Sequence, residues 1–168
     1  MRLRPAVAGD AAKLSLIGQA SFLESFADDH DGDEVTDFVA SDHSIAYYRR
    51  AIEDPATSIW LVEEKAGSPV GYAMLATASL PGSVPARDVE LKRLYVLSRW
   101  HGQAQGAALY NAAEAEARAR GAERLLLSVY VANLRAQRFY AQRGFEPIGR
   151  WIFAGFRDSE DFILAKQL

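Results

Sequence analysis

Small residues cluster in a short segment between a β-forming stretch and a helical stretch. Gly102, Ala104 and Gly106 follow the β-forming residues 89–97 and precede an alanine-rich run. Free backbone N–H groups converge at the start of a helix, and the helix dipole favours negative charge there. Small side chains would let a phosphate approach the main chain. The segment therefore predicts an anion-binding turn, although close packing of a strand against a helix also accounts for small residues.

Two common nucleotide-binding fingerprints are missing from the sequence. No Gly-Lys-Ser/Thr closes the turn, as a P-loop requires, and no glycine triplet with Rossmann spacing follows an early strand. ATP and NAD are therefore less favoured than another phosphate-bearing ligand.

The second half of the chain alternates between strands and helices that would position this turn. Gly121 and Gly144 each follow a helical pattern, and glycine is typical just past a helix C-terminus. The expected order is a strand at 89–97, a helix at 105–120, a strand at 124–131, a helix at 134–143, and strands near 145–153 and 161–165.

The first half predicts a strand, several helices and a hairpin. A helix should begin after Asp10, an acidic loop should cover 26–34, and Asp54-Pro55 should end the last helical pattern. The remaining elements are a strand at 2–5, helical patterns around 35–39 and 42–52, and paired strands at 58–63 and 70–76. The whole is a mixed α/β chain with a central sheet, expected to form a single domain over 1–168.

Composition limits the partners that this chain can be expected to bind. With 168 residues, 49% of them hydrophobic, it can build one sizeable core, and a net charge of -3 gives no basic excess for nucleic acid or membranes. It has no cysteine, and its three histidines are scattered, so we expect no metal site. No signal-like or membrane-spanning run is present, which predicts a cytoplasmic protein. We expect this protein to be a monomer or a homodimer.

The stretch from Asn133 to Phe145 resembles a motif of the GCN5-related N-acetyltransferase (GNAT) family, Asn-x-x-Ala-x-x-Phe-Tyr-x-x-x-Gly-Phe. All marked positions match: Asn133, Ala136, Phe139, Tyr140, Gly144 and Phe145. Leu91-x-Arg93-Leu94-Tyr95-Val96 is also similar to the family's fourth strand. The turn matches the family's Arg/Gln-x-x-Gly-x-Gly/Ala only in part, because His101 and Ala104 replace the usual residues.

This resemblance implies a fold and a coenzyme. The fold would be a mixed, mostly antiparallel sheet of about six to seven strands, flanked by about four helices, with the fourth and fifth strands splayed apart. Acetyl-CoA would lie in the gap as co-substrate, with no metal. The implied coenzyme-binding residues are Leu94, Tyr95, Val96, Trp100, His101, Gly102, Gln103, Ala104, Gln105, Gly106, Ala107, Asn133, Ala136, Phe139 and Tyr140.

Two residues are candidates for catalysis. By resemblance, Tyr140 points at the coenzyme sulfur, where its phenol can protonate the departing thiolate. The attacking amine must be neutral, so a base is expected, and Glu90 on the fourth strand is the candidate. A solvent-facing carboxylate is nearly as good an interpretation of Glu90. The implied chemistry is direct attack in a ternary complex, with a backbone N–H near Val96 polarising the thioester carbonyl.

The acceptor would be a primary amine of a small molecule or peptide. Aromatic residues are the candidates for its pocket: Phe22, Phe26, Tyr47, Tyr48, Trp60 and Trp151. The acidic loop could attract a polyamine-like cation, as in bacterial spermidine acetyltransferases, which the N-terminal layout faintly resembles; a solvated loop is the competing interpretation. The alternative to an enzyme is a coenzyme-binding sensor or interaction module, suggested by His101 and Ala104.

Overall fold

The computed structural model describes residues 1–153, 156–157 and 159–168. In these ranges the chain forms seven strands, five α-helices and two short 3₁₀ turns, at Ala8–Asp10 and Ser98–Trp100. In chain order the strands and α-helices are β1 (Arg2–Pro5), α1 (Ala11–Phe26), α2 (Gly32–Asp42), α3 (Ile45–Glu53), β2 (Ser58–Glu63), β3 (Pro69–Thr77), β4 (Asp88–Val96), α4 (Gln105–Ala119), β5 (Arg124–Tyr130), α5 (Leu134–Ala141), β6 (Glu146–Ile152) and β7 (Glu160–Gln167).

All seven strands belong to one sheet in the order β1-β2-β3-β4-β5-β7-β6. Every neighbouring pair is antiparallel except β4 and β5, which are parallel. The predicted mixed, mostly antiparallel sheet is therefore confirmed. The described residues contain five α-helices, one more than the resemblance implies, and the two helical patterns expected between α1 and β2 form α2 and α3. Ser44 caps α3, since its Oγ accepts a hydrogen bond from the Tyr47 N–H at 3.0 Å.

The fourth and fifth strands separate after a short paired segment. In the described part of the chain they pair only from Asp88 opposite Arg124 to Glu90 opposite Leu126. Beyond that point β4 stays paired with β3, and an irregularity opposite Met74 and Leu75 leaves Lys92 as an extra residue on β4. Such a bulge bends its strand. The expected splay is confirmed, and it leaves one side of the β4 backbone unpaired near its end.

The helices cover both faces of the sheet, and each face has its own core. Leu109, Ala113 and Ala117 recur at helical spacing on α4 and are fully buried against strand residues. On the opposite face, Leu14 and Ile17 of α1 pack with α3 and with β2 and β3. Burying one such leucine contributes roughly 1.5–3 kcal/mol. The two layers therefore hold β4 and β5 rigidly where they diverge.

Candidate active site

A cavity of about 760 Å³ opens where β4 and β5 diverge. We call it the cleft. Its volume falls in the range of small-molecule sites. Its wall contains fourteen of the fifteen residues predicted to bind the coenzyme: Leu94, Tyr95, Val96, Trp100, His101, Gly102, Ala104, Gln105, Gly106, Ala107, Asn133, Ala136, Phe139 and Tyr140. The fifteenth, Gln103, does not line it; its side-chain amide donates to the Arg99 carbonyl at 3.3 Å.

The small-residue turn enters α4 with its backbone in the left-handed region. Gly102 has φ 77°, and Ala104 has φ 64°, the one positive φ at a non-glycine residue in the described chain. Ala104 occupies the N-cap position of α4 and provides no side-chain hydrogen bond to the helix. The first amides of α4 are thus free for a ligand. A methyl group in this conformation costs roughly 1 kcal/mol relative to glycine, so the site retains a strained alanine.

His101, in the turn, contacts both β4 and α5, which lie on two sides of the cleft. Its Nε2 lies 2.6 Å from the Val96 carbonyl oxygen, and its Nδ1 contacts Nη1 of Arg135. Both contacts are satisfied when a neutral imidazole donates from Nε2 and accepts from the guanidinium at Nδ1. His101 therefore holds the end of β4 and positions the guanidinium of Arg135 beside the turn.

Tyr140 lines the cleft, and the residue is 8% exposed. Phe139 and Phe145 pack edge-on against it, at 5.3 and 5.5 Å between ring centroids. Burial raises the pKa of the phenol, while the charge of Arg143 opposes that rise. The phenol therefore carries its proton at neutral pH, as a proton donor must.

Asn133 places the start of α5 on the cleft wall. Its Oδ1 accepts a hydrogen bond from the Ala136 N–H at 3.0 Å, so the residue caps the helix. It also lines the cleft. The helix that carries Tyr140 is thus oriented by a residue of the same motif.

Glu90 lies outside the cleft wall. It is the last residue of β4 that pairs with β5, it is 7% exposed, and its carboxylate accepts from the Ser79 N–H at 2.8 Å and the Ser79 hydroxyl at 3.1 Å. Lys92 Nζ is 3.9 Å away. The structure does not bring Glu90 together with Tyr140 on the wall, and its role as base stays a prediction.

Sequence reasoning missed several residues of the cleft. Arg135 stands at an unspecified position of the motif, and its charge was the available signal. Glu24 and Tyr130 come from elements far away in sequence; the Glu24 carboxylate accepts from the Ser98 N–H at 2.9 Å and its hydroxyl at 2.8 Å. That contact links the end of α1 to the turn, and no local pattern could have predicted it. Ser25, Ser98 and Ala132 complete the set, and Asp29, which also lines the cleft, belongs to the acidic loop predicted from the sequence.

The aromatic residues expected in the acceptor pocket divide between three places. Phe22 and Phe26 join a cluster formed by α1, α2 and the segment before β7, and Trp151 packs against Leu126 and Ile163 nearby. Trp60 instead packs on the α4 face, because the alternation along β2 turns it away from α1. Tyr47 and Tyr48 belong to a buried network around Arg93.

Tyr47 and Tyr48 surround the buried side chain of Arg93. The guanidinium lies 4.8 Å from the Tyr47 ring centroid and 3.3 Å from the Tyr48 hydroxyl, and it contacts His43 at 2.8 Å. Burial and the charge of Arg93 lower the pKa of His43 to about 2, so the imidazole is neutral. The two tyrosines therefore stabilise the buried charge of Arg93 through their rings and the Tyr48 hydroxyl.

Two features absent from the described ranges bear on possible partners. No helix there is long and apolar enough to cross a membrane. Among the same residues, no group of three His, Asp or Glu side chains is arranged to hold a metal ion.

Comparisons with known proteins agree with this geometry. A profile of the Acetyltransferase (GNAT) family matches residues 21–145. Uncharacterized N-acetyltransferases of Mycobacterium bovis and Mycobacterium tuberculosis are each 34% identical over 160 residues, which is 95% of this chain and 98% of theirs. Among solved structures, the PaiA N-acetyltransferase from Thermoplasma acidophilum, in complex with coenzyme A, has a TM-score of 0.81 at 18% identity, covering 99% of this chain and 98% of the other.

The splayed sheet and its cleft define the class of acyl-CoA N-acyltransferase folds. The chain belongs to the GNAT family, and its activity is acyl-CoA-dependent N-acetyl transfer.

Proposed function

We propose that the protein moves the acetyl group of acetyl-CoA to a primary amine of a small molecule or peptide, by direct attack in a ternary complex. The observation that carries this proposal is the cleft itself. One continuous wall joins an anion-binding turn, the unpaired end of β4 and a buried phenol. In this proposal the turn holds the coenzyme's pyrophosphate, the end of β4 binds its pantetheine, and the phenol lies at its sulfur.

The turn and Arg135 would hold the pyrophosphate. The uncapped amides of Gln105, Gly106 and Ala107 lie at the N-terminus of α4, where the helix dipole attracts anions. At Gly106 a side chain would meet only Phe139, at an ordinary 3.9 Å, so core packing does not require glycine there. Because the space above these amides is open, a bound ligand explains the glycine better than core packing does.

The end of β4 would bind the pantetheine in the manner of an added strand. The main chain of Leu94 to Val96 lines the cleft beyond the last residue paired with β5. A backbone N–H near Val96 would polarise the thioester carbonyl and stabilise the oxyanion as the amine attacks.

Tyr140 would complete the transfer as general acid. The amine nitrogen bonds to the carbonyl carbon, the carbon–sulfur bond breaks, and the phenol proton passes to the departing thiolate. The proton that the amine loses passes to a base, for which Glu90 is the residue predicted from sequence.

A cationic acceptor such as a polyamine is the finer proposal for the substrate. Asp29 lines the cleft, Asp31 follows it in the loop between α1 and α2, and Asp33 and Glu34 lie in the first turn of α2. Asp31 is partly occupied, since its carboxylate caps α2 by accepting from the Asp33 N–H at 3.0 Å. We further propose a cytoplasmic protein that works as a monomer or homodimer.

Steady-state kinetics with acetyl-CoA and a panel of primary amines tests the function. Intersecting initial-rate lines are expected from a ternary complex, whereas parallel lines would indicate a covalent acetyl-enzyme and contradict direct attack. Calorimetric titration with coenzyme A gives the second readout. Coenzyme binding without turnover of any amine would favour the sensor interpretation, which the strained Ala104 keeps open.

A further inference from the structure

The backbone at the end of β4 directs polar atoms into the cleft. The Leu97 N–H donates to the Val70 carbonyl at 3.0 Å, so Leu97 continues the ladder to β3. Because the hydrogen bonds of an antiparallel ladder alternate, the N–H and the carbonyl of Val96 point away from β3. Val96 lies beyond the last residue of β4 that pairs with β5, and it lines the cleft. An added strand would therefore meet the Val96 carbonyl.

The imidazole of His101 lies against this carbonyl. Its Nε2 is 2.6 Å from the Val96 carbonyl oxygen, and its Nδ1 contacts Nη1 of Arg135. In the proposed binding mode a pantetheine amide would donate to the same oxygen, and Arg135 would face the pyrophosphate. Both donors would approach the oxygen from the cleft, since the other edge of β4 is paired with β3. His101 thus occupies two groups that the coenzyme would use.

The two contacts of His101 require a neutral ring. Nε2 donates to a carbonyl, so Nδ1 accepts from the guanidinium of Arg135, a group that only donates. A proton on Nδ1 would place an imidazolium against the guanidinium, and like charges in contact repel. Histidine ordinarily changes charge between about pH 5 and pH 8. His101 is exposed, so its ring can leave both contacts without opening the core.

We propose that His101 is a proton-dependent ligand of the coenzyme. The neutral ring covers the Val96 carbonyl and holds Arg135, whereas the protonated ring leaves both and joins Arg135 in holding the pyrophosphate. One proton from solvent binds Nδ1, and the Val96 carbonyl becomes available to the pantetheine. Coenzyme binding then takes up a proton, and by linkage a lower pH favours the coenzyme.

This inference rests on the proposed binding of acetyl-CoA and adds a pH dependence specific to this chain. The family pattern has Arg or Gln where His101 stands, and neither of those side chains changes charge near neutral pH. Carboxylates, phenols and guanidinium groups ordinarily titrate outside about pH 6 to 8. The other charged or titratable residues of the cleft wall and the turn are Arg99 in the turn, Tyr95 on β4, Arg135 and Tyr140 on α5, Glu24 on α1, Asp29 after α1, and Tyr130 on β5.

Calorimetric titration with coenzyme A at about pH 6 and about pH 8 tests the proposal. The affinity of the wild type divided by that of His101→Gln should rise about tenfold from the higher to the lower pH. The ligand's own phosphates titrate in both experiments, so this ratio cancels them. Titration in two buffers of different ionisation enthalpy should show up to about one more proton taken up by the wild type. Equal pH dependence and equal proton uptake in the two proteins would overturn the proposal.

His101→Ala distinguishes a displaceable contact from a structural one. At about pH 8 the variant should bind coenzyme A at least as tightly as the wild type, because no ring has to leave the Val96 carbonyl and Arg135 first. At about pH 6 it lacks a cation beside the pyrophosphate and should bind about fivefold more weakly. A histidine that only anchors the turn would give weaker binding in the variant at both pH values, which would contradict the proposal.

A second histidine provides the matched control. The His30 ring packs on Tyr130 at 5.2 Å between centroids and does not line the cleft. His30→Gln should therefore keep the pH dependence of the wild type, and a loss of that dependence in this variant alone would refute the role of His101. Burial and the charge of Arg93 lower the pKa of His43 to about 2, so His43 stays neutral in these titrations.

The wild-type titration separates this inference from the function on which it rests. A wild-type chain that binds no coenzyme A would refute the proposed function together with the role of His101. A wild-type chain that binds the coenzyme and acetylates an amine, with the same pH dependence of binding in His101→Gln, would refute the role of His101 alone.

Discussion

The side of the cleft proposed to bind the coenzyme and the side proposed to bind the acceptor are built in different ways. The coenzyme side consists of backbone from three consecutive elements, β4, the turn and α4, with one motif on α5. The acceptor side combines side chains from α1, β5, β6 and β7, which are far apart in sequence. A shared coenzyme can be held by local geometry that a short motif records. A particular acceptor requires long-range packing that no short motif records.

Tyr140→Phe is the sharpest test of the coenzyme side. We expect kcat to fall about 100-fold, because the thiolate would leave without a proton donor. The coenzyme dissociation constant should not change, since the ring keeps its packing against Phe139 and Phe145. Stopped-assay rates and calorimetry measure the two quantities. An unchanged kcat would show that solvent protonates the sulfur.

Asp161 is buried on β7 opposite Tyr130 of β5, and Asp161→Asn should make the protein more stable above about pH 6. The folded pKa of about 6 lies above the ordinary value of 3.8. Its stabilising contribution is therefore complete below about pH 4 and is lost as pH rises through about 6. The variant should exceed wild type by about 2 kcal/mol in free energy of unfolding at pH 8 and match it near pH 4. Urea denaturation at both pH values gives the comparison, and equal stability at pH 8 would contradict it.

Arg135→Gln should weaken coenzyme binding by about tenfold, with a larger loss at low salt. The side chain lines the cleft and contacts His101 beside the turn. Arg138→Gln, on the same helix but not on the cleft wall, is the matched control and should bind normally. Equal losses in both variants would assign the effect to net charge alone.

Ala104→Gly should stabilise the turn by about 1 kcal/mol and leave coenzyme binding unchanged, because the same backbone strain is present with and without the ligand. The reverse change, Gly102→Ala, introduces a methyl group at φ 77° and should destabilise by a similar amount. Thermal unfolding with and without coenzyme measures both. If Ala104→Gly weakens binding, the methyl group contacts the ligand instead of straining the turn.

Much of the coenzyme side could be predicted because its signals are local. Gly121 and Gly144 mark where α4 and α5 end, with left-handed φ values of 72° and 82°. The motif places Asn133 at a helix N-cap and Tyr140 two turns later, which the structure confirms. The order of elements follows from hydrophobic periods and turn residues.

The acceptor side could not be predicted in the same way. Glu90 and Tyr95 lie on the same strand, but the register that ends β4–β5 pairing at Glu90 depends on long-range contacts. From sequence, Asp161 is an ordinary polar residue in a strand. Its burial depends on its place between Tyr130 of β5 and Trp151 of β6, the residues paired with it across the sheet. Local propensity contains no information on such pairings.

The carboxylate of Glu24 bears on how the two ligands affect each other. It ties the last turn of α1, on the acceptor side, to Ser98 at the entrance of the phosphate turn. A ligand that shifts one end must shift the other or break two hydrogen bonds. Linkage then requires reciprocity: whatever factor the coenzyme imposes on acceptor affinity, the acceptor imposes on coenzyme affinity. The order in which the two ligands bind is a kinetic property. The coupling free energy between them is the same whichever ligand binds first.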